Sequence, residues 1–179
     1  MAVSAVRPVQ GAIVFTVLGI DPGLASTGLG IVRGRGSRIA SYAYGCVQTD
    51  SRSEVPSRLD RIYSAVSRVL EDEKPGLMVV EDVFSLKRYP KSGIHLGKVV
   101  GVVLLAACRR RIPAVEIPVR EAKKVLTGNG NASKQQMERS VRELLKSPEP
   151  IRPSHASDAV GLAVIGLYRS VDPAYGGLP

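Results

Sequence analysis

Apolar positions follow two different periods along this chain, and the switches between them divide it into elements. Residues 12–21, "AIVFTVLGID", form an almost unbroken apolar run that closes on a carboxylate. Two more strand-type runs follow at 28–33 and 38–49, set off by Pro22-Gly23 and by the turn "RGRGS". Short turns rich in glycine and proline predict an antiparallel meander. From 55 to 73 the period changes. Val55, Leu59, Ile62, Val66, Val69 and Leu70 recur at helical spacing, and Lys74-Pro75-Gly76 ends the pattern. The pattern then predicts a buried strand at 77–84, a helix at 94–111, a short strand at 113–117 and a short helix at 120–126. A helix from Ser133 to Lys146 and an apolar helix at 156–168 complete the order. Three antiparallel strands followed by alternating helices and strands predict an α/β fold with a mixed five-stranded sheet flanked by helices. Residues 12–170 are expected to form one domain, with flexible segments at 1–11 and 171–179.

Carboxylates stand where this plan does not need them. Asp21 ends the first long strand, and Glu81 with Asp82 ends the strand at 77–84. Aspartate is a poor strand former, and at the end of a buried strand it costs solvation unless something positive meets it. Asp21 before Pro22-Gly23 reads either as a turn residue or as a holder of a cation. Glu81 reads as a solvated strand end or as its partner. His155 and Asp158 are three apart at a helix start, so one face can carry both. Separately they read as an N-cap and a first-turn acid meeting the helix dipole. Together with the strand-end acids they would make a pocket that repels itself unless divalent cations neutralise it, and carboxylate oxygens suit Mg²⁺ or Mn²⁺.

The formal net charge of +9 on 179 residues changes the picture, because it favours nucleic acid or another anionic surface as partner. A basic chain with one acidic pocket has the charge arrangement of a metal-dependent nuclease. The apolar run ending at Asp21 is too short to span a membrane. Cys46 and Cys108 have neither metal nor redox spacing and read as buried free thiols in a reducing, cytoplasmic setting.

Five segments, in order, resemble the RuvC-type Holliday junction resolvases of the RNase H-like superfamily. They are "LGIDPGLASTGLGIV" (18–32), "VVEDVFSLK" (79–87), "LGKVVGVVLLAA" (96–107), "VREAKKVLTGNGNASKQQM" (119–137) and "HASDAVGLAVIG" (155–166). The resemblance implies an RNase H-like nuclease that resolves four-way DNA junctions in recombination and repair. It would cut by paired symmetric nicks with two metal ions, leaving 5′-phosphate ends. Asp21, Glu81 and Asp158 match the family's catalytic carboxylates. His155 stands where many members carry aspartate, and a nitrogen ligand that binds only when neutral implies a preference for Mn²⁺ and sensitivity to acid. Lys123, its neighbour Lys124 and Lys134 fall at basic positions near the scissile phosphate. Phe84 matches an aromatic that stacks on unpaired bases, and Lys87, Arg88, Tyr89 and Lys91 share its loop. The family also implies a homodimer, with the Gly97/Gly101 face as candidate interface, and a branch-migration helicase complex of the RuvA/RuvB type as partner.

Three other readings follow from the same residues. A junction-binding relative that has lost catalysis is suggested by His155. A resolvase-like enzyme that processes ribosomal RNA would lack reason for the long basic segment 120–146. An actin-like or sugar-kinase-like ATPase also has an Asp-X-Gly turn after a strand, but needs a second lobe, of which this sequence contains no copy.

Overall fold

The computed structural model describes residues 2–4, 14–82 and 90–170. Its sheet is built from β1 (Ala2–Ser4), β2 (Phe15–Asp21), β3 (Ser26–Arg35), β4 (Arg38–Gln48), β5 (Leu77–Asp82) and β6 (Ala114–Pro118). The helices are α1 (Val55–Glu73), α2 (Pro90–Cys108), α3 (Val119–Thr127), α4 (Lys134–Leu145) and α5 (Ser154–Arg169). Strand order is β1-β4-β3-β2-β5-β6. The meander β2-β3-β4 is antiparallel, and β5 and β6 add in parallel beside β2. The five expected strands are all present, and a sixth is added. Ala2–Ser4, inside the segment expected to be a flexible leader, pairs antiparallel with β4 at the sheet edge.

Helix boundaries follow local chemistry. The chain leaves α1 through Lys74, whose left-handed backbone returns its N–H to the Leu70 carbonyl. Helix α2 starts at Pro90, earlier than the apolar period alone suggests, because proline at a first helical position loses no hydrogen bond. Ser133 caps α4 by accepting from the Gln136 N–H, while the Gln136 side chain accepts from the Ser133 N–H.

Strand alternation divides the core into two layers. Leu18, Ile20, Met78 and Val80 face α1 and α2, whereas Val17, Leu77 and Val79 face α5. Residues of α5 from Ala159 to Leu167 are all buried, as expected of a helix apolar on every side. Glycines let α5 lie this close. A Cβ on Gly19 would stand 1.9 Å from the Ala159 carbonyl oxygen, and one on Gly30 2.4 Å from the Val160 nitrogen. Gly19 and Gly30 are cross-strand partners, so together they cut a trough in the sheet that receives the helix backbone.

The thiols differ from expectation. Both cysteines are free, but Cys46 is only half-buried and Cys108 is exposed, although its neighbours Ala106 and Ala107 are buried in the core.

Candidate active site

The site begins with register. In the parallel pair β2–β5, Val17 lies beside Leu77 and Ile20 beside Val80, so the next step brings Asp21 level with Glu81. Both acids share the parity of Val17, Leu77 and Val79, which places them on the α5 face. Asp82 has the opposite parity.

The first turn of α5 supplies the remaining groups. Asp21 pairs across the sheet with Gly28, and a Cβ on Gly28 would stand 2.0 Å from the His155 carbonyl oxygen. The missing side chain therefore seats the start of α5 directly over the end of β2. His155 Nδ1 then lies 2.5 Å from Asp21 Oδ2. Asp158, one turn on, faces the same space.

These four residues line one cavity of about 190 Å³ with Lys123 of α3 and Lys134 of α4. Its remaining wall is apolar: Val119, Ala122, Leu126, Met137 and Leu162. The wall has an electrostatic effect. Burial, then the charge of Asp21 and a hydrogen bond with it, push the Glu81 carboxyl up to about 8, against the pull of Lys134. Burial and Asp21 also raise Asp158, opposed by Lys134, His155 and Lys123. The hydrogen bond to Asp21 raises His155 despite partial burial. Without a counter-charge, the cluster thus holds protons that separate carboxylates would release.

A divalent cation would supply the missing counter-charge and displace those protons. Among the described residues, no three His, Cys, Asp or Glu side chains form a ready coordination shell as they stand; Asp21 is bound by His155 instead. The donor set nevertheless fits hard divalent cations, with three carboxylates and one imidazole facing the same small cavity.

The remaining expectations divide. Lys123 and Lys134 line the cavity, whereas Lys124 is exposed on α3 and does not. Phe84, Lys87, Arg88 and Tyr89 lie outside the described residues, and Lys91 falls on the first turn of α2, where the backbone alone is described. The Gly97/Gly101 face of α2 is open: a Cβ on either glycine meets nothing within 4 Å. Ile94 and Leu105 on the same stripe are 60% and 51% exposed. Sequence reasoning missed the apolar wall. Its signal was present in the helical spacing of Ala122 and Leu126, but nothing in the sequence says that this face looks onto carboxylates. Cys46, on β4 beside Gly28, was also missed as a neighbour; burial raises its thiol and Asp21 adds to the effect.

Comparison with known proteins identifies the family. The family model described as "Crossover junction endodeoxyribonuclease RuvC" matches residues 17–166. The enzyme of that name from Geobacter sulfurreducens is 39% identical over 148 residues, 83% of this chain and 89% of the relative. The Proteus mirabilis enzyme is 38% identical over 149 residues, 83% of this chain and 84% of its own length. The structure of Thermus thermophilus RuvC in complex with a Holliday junction substrate superposes with a TM-score of 0.82 at 30% identity, covering 92% of this chain and 97% of that one. The RNase H-like architecture expected from the sequence is the one observed. Matched over most of its length by the family model and by these relatives, the chain belongs to the family of RuvC crossover junction endodeoxyribonucleases.

Proposed function

We propose that this chain resolves four-way DNA junctions by hydrolysing one phosphodiester in each of two opposed strands. One observation carries this reading: Asp21, Glu81, His155 and Asp158, from two strands and a helix, face one cavity with Lys123 and Lys134. The acids and the imidazole are the groups that would hold two divalent cations, Mg²⁺ or Mn²⁺. Such ions, when bound, lower the pKa of an attacking water and stabilise the leaving oxygen in an in-line displacement at phosphorus. The chain's own groups do the rest. Lys123 and Lys134 attract the scissile phosphate, and their charge favours the ionised carboxylates against burial. The apolar wall keeps bulk water from that side of the cavity and strengthens every charge interaction within it. Asp21 accepts from His155 Nδ1 when that nitrogen is protonated, so His155 must give up this proton before it can ligate through the same atom. This favours Mn²⁺, which takes nitrogen ligands more readily than Mg²⁺.

Two-fold substrates call for two-fold enzymes. A homodimer built on the open Ile94, Gly97, Gly101 and Leu105 stripe of α2 would set two such cavities against opposed strands. Phe84 and Tyr89, with the basic residues Lys87, Arg88 and Lys91, would then meet bases and phosphates near the crossover. The protein would act in the cytoplasm alongside a branch-migration helicase complex of the RuvA/RuvB type. The deciding experiment incubates the protein with a synthetic mobile four-way junction and either metal. Paired symmetric nicks with religatable 5′-phosphate ends are expected. Binding without metal-dependent nicking would instead favour the non-catalytic reading that His155 raises.

A further inference from the structure

Three successive carbonyls in the turn that follows Asp21 each have a partner. The Thr27 hydroxyl donates to the Gly23 carbonyl at 2.8 Å, and the Thr49 hydroxyl donates to the Leu24 carbonyl at 2.6 Å. The Thr49 N–H takes the third, the Ala25 carbonyl, at 3.1 Å. Pro22 fixes a further backbone angle of the same turn. Both hydroxyls work from the far side of the sheet. Thr27 pairs with Val47, which packs with Leu24 in the layer facing α1 and α2. Thr27 is completely buried, and neither threonine lines the catalytic cavity. The Thr49 hydroxyl also accepts from Arg58 Nε of α1 at 2.8 Å, which directs its one proton to Leu24.

Asp21 sits where such support matters. Its backbone pairs with Gly28 on one flank, but the register with β5 stops at Ile20 and Val80 on the other. The strand therefore ends on a carboxylate held from one side, and the turn beyond it sets the remaining backbone freedom. Any change in the Asp21 backbone that re-aims its carboxylate must displace this turn and break the bonds to Thr27 and Thr49.

We infer that Thr27 and Thr49 are positioning residues for the candidate metal site. Their hydroxyls hold the turn at 22–25, and through it the backbone of Asp21, at the setting from which the carboxylate meets a divalent cation. Partners that orient a metal ligand from behind matter to affinity although they never touch the ion. The inference rests on the metal-dependent reading above and adds two residues that act on it only through the backbone.

The test titrates the full-length protein with Mn²⁺ in the absence of DNA and reads the free ion by electron paramagnetic resonance. Thr27→Val keeps the shape, removes the hydroxyl and is expected to weaken Mn²⁺ binding about tenfold. Thr49→Val should act in the same direction, and Thr27→Ser, which keeps the hydroxyl, should bind as the wild type does. In nicking assays the Mn²⁺ needed for half-maximal rate should rise by the same factor for Thr27→Val, with junction binding in metal-free buffer unchanged. Ile62→Val, in the buried core of the same layer, is the control: it should lower Tm and leave Mn²⁺ affinity alone. If both valine variants lose Tm but bind Mn²⁺ like the wild type, or if Thr27→Ser is as weak as Thr27→Val, the inference is overturned. Should Thr27→Val not fold, the half-buried Thr49 supplies the same comparison, with Thr49→Ser as its rescue. A wild type that binds Mn²⁺ without nicking leaves the positioning role standing and removes the nuclease reading. A wild type that binds no Mn²⁺ removes both.

Discussion

His155 Nδ1 and Asp21 Oδ2 lie 2.5 Å apart although 134 residues separate them in the chain. The contact joins the end of the first long strand to the first turn of the last helix, and the candidate metal site is built around it. The hydrogen bond to Asp21 raises the affinity of His155 for its proton, and the Asp21 charge adds to the larger effect of burial on Glu81.

Replacing Asp21 by asparagine keeps the shape and removes that charge. Junction cleavage should fall by about three orders of magnitude, since divalent ions would lose their shared carboxylate, while junction binding in metal-free buffer changes little. Gel-shift and nicking assays on the same preparation check this. Equal loss of binding and nicking would place Asp21 in DNA recognition instead.

Metal-free stability should fall as pH rises from about 4.5 to about 8. The sign follows from Glu81, whose ordinary value of 4.5 is raised to about 8 in the fold. The folded chain binds a proton that the unfolded chain has released, so the stabilisation is complete below 4.5 and lost as pH passes 8. Asp158 and His155 are raised too and act in the same direction. Thermal melts across this range should show the decline. Added Mn²⁺ should raise Tm more at pH 8 than at pH 6, where protons still compete for the ligands.

His155→Asp tests the imidazole. Wild-type activity should drop steeply on acidification, from a higher pH than a free histidine would give, because contact with Asp21 holds the proton on His155. The variant should keep more of its rate under mildly acidic conditions and narrow the gap between Mn²⁺ and Mg²⁺. Unchanged pH and metal profiles would remove His155 from the ligand set.

Gly30→Ala should destabilise the protein by about 3 kcal/mol or prevent folding, because the new Cβ would meet the backbone of Val160 and not a flexible side chain. Gly97→Ala, with nothing within 4 Å, should leave the monomer fold intact. Chemical denaturation of the two variants makes the comparison.

Leu105→Glu puts a charge on the exposed stripe of α2. If that stripe joins two copies, the variant should sediment as a monomer with an unchanged circular dichroism spectrum and lose paired nicking of junctions. A variant that stays dimeric would move the interface elsewhere, and a wild-type monomer at micromolar concentration would remove the homodimer.

Much of this was legible in the chain itself. Strand alternation, helical spacing and glycine-proline turns set the order of elements, because each depends on neighbours within about a dozen residues. Asp21 and Glu81 stood out for a similar local reason: a carboxylate ending an apolar run needs an explanation wherever it lies. Local pattern left Asp21 open between turn and ligand, and His155 open between cap and ligand. Only the tertiary structure decided that they touch, through the parallel register of β2 with β5 and the glycine trough that lowers α5 onto the sheet. The raised affinity of Glu81 for its proton was likewise beyond reach, since it comes from α3 and α4 closing an apolar wall over the cavity. Charge interactions and desolvation act through space, and the distances that set them exist only once remote segments have packed.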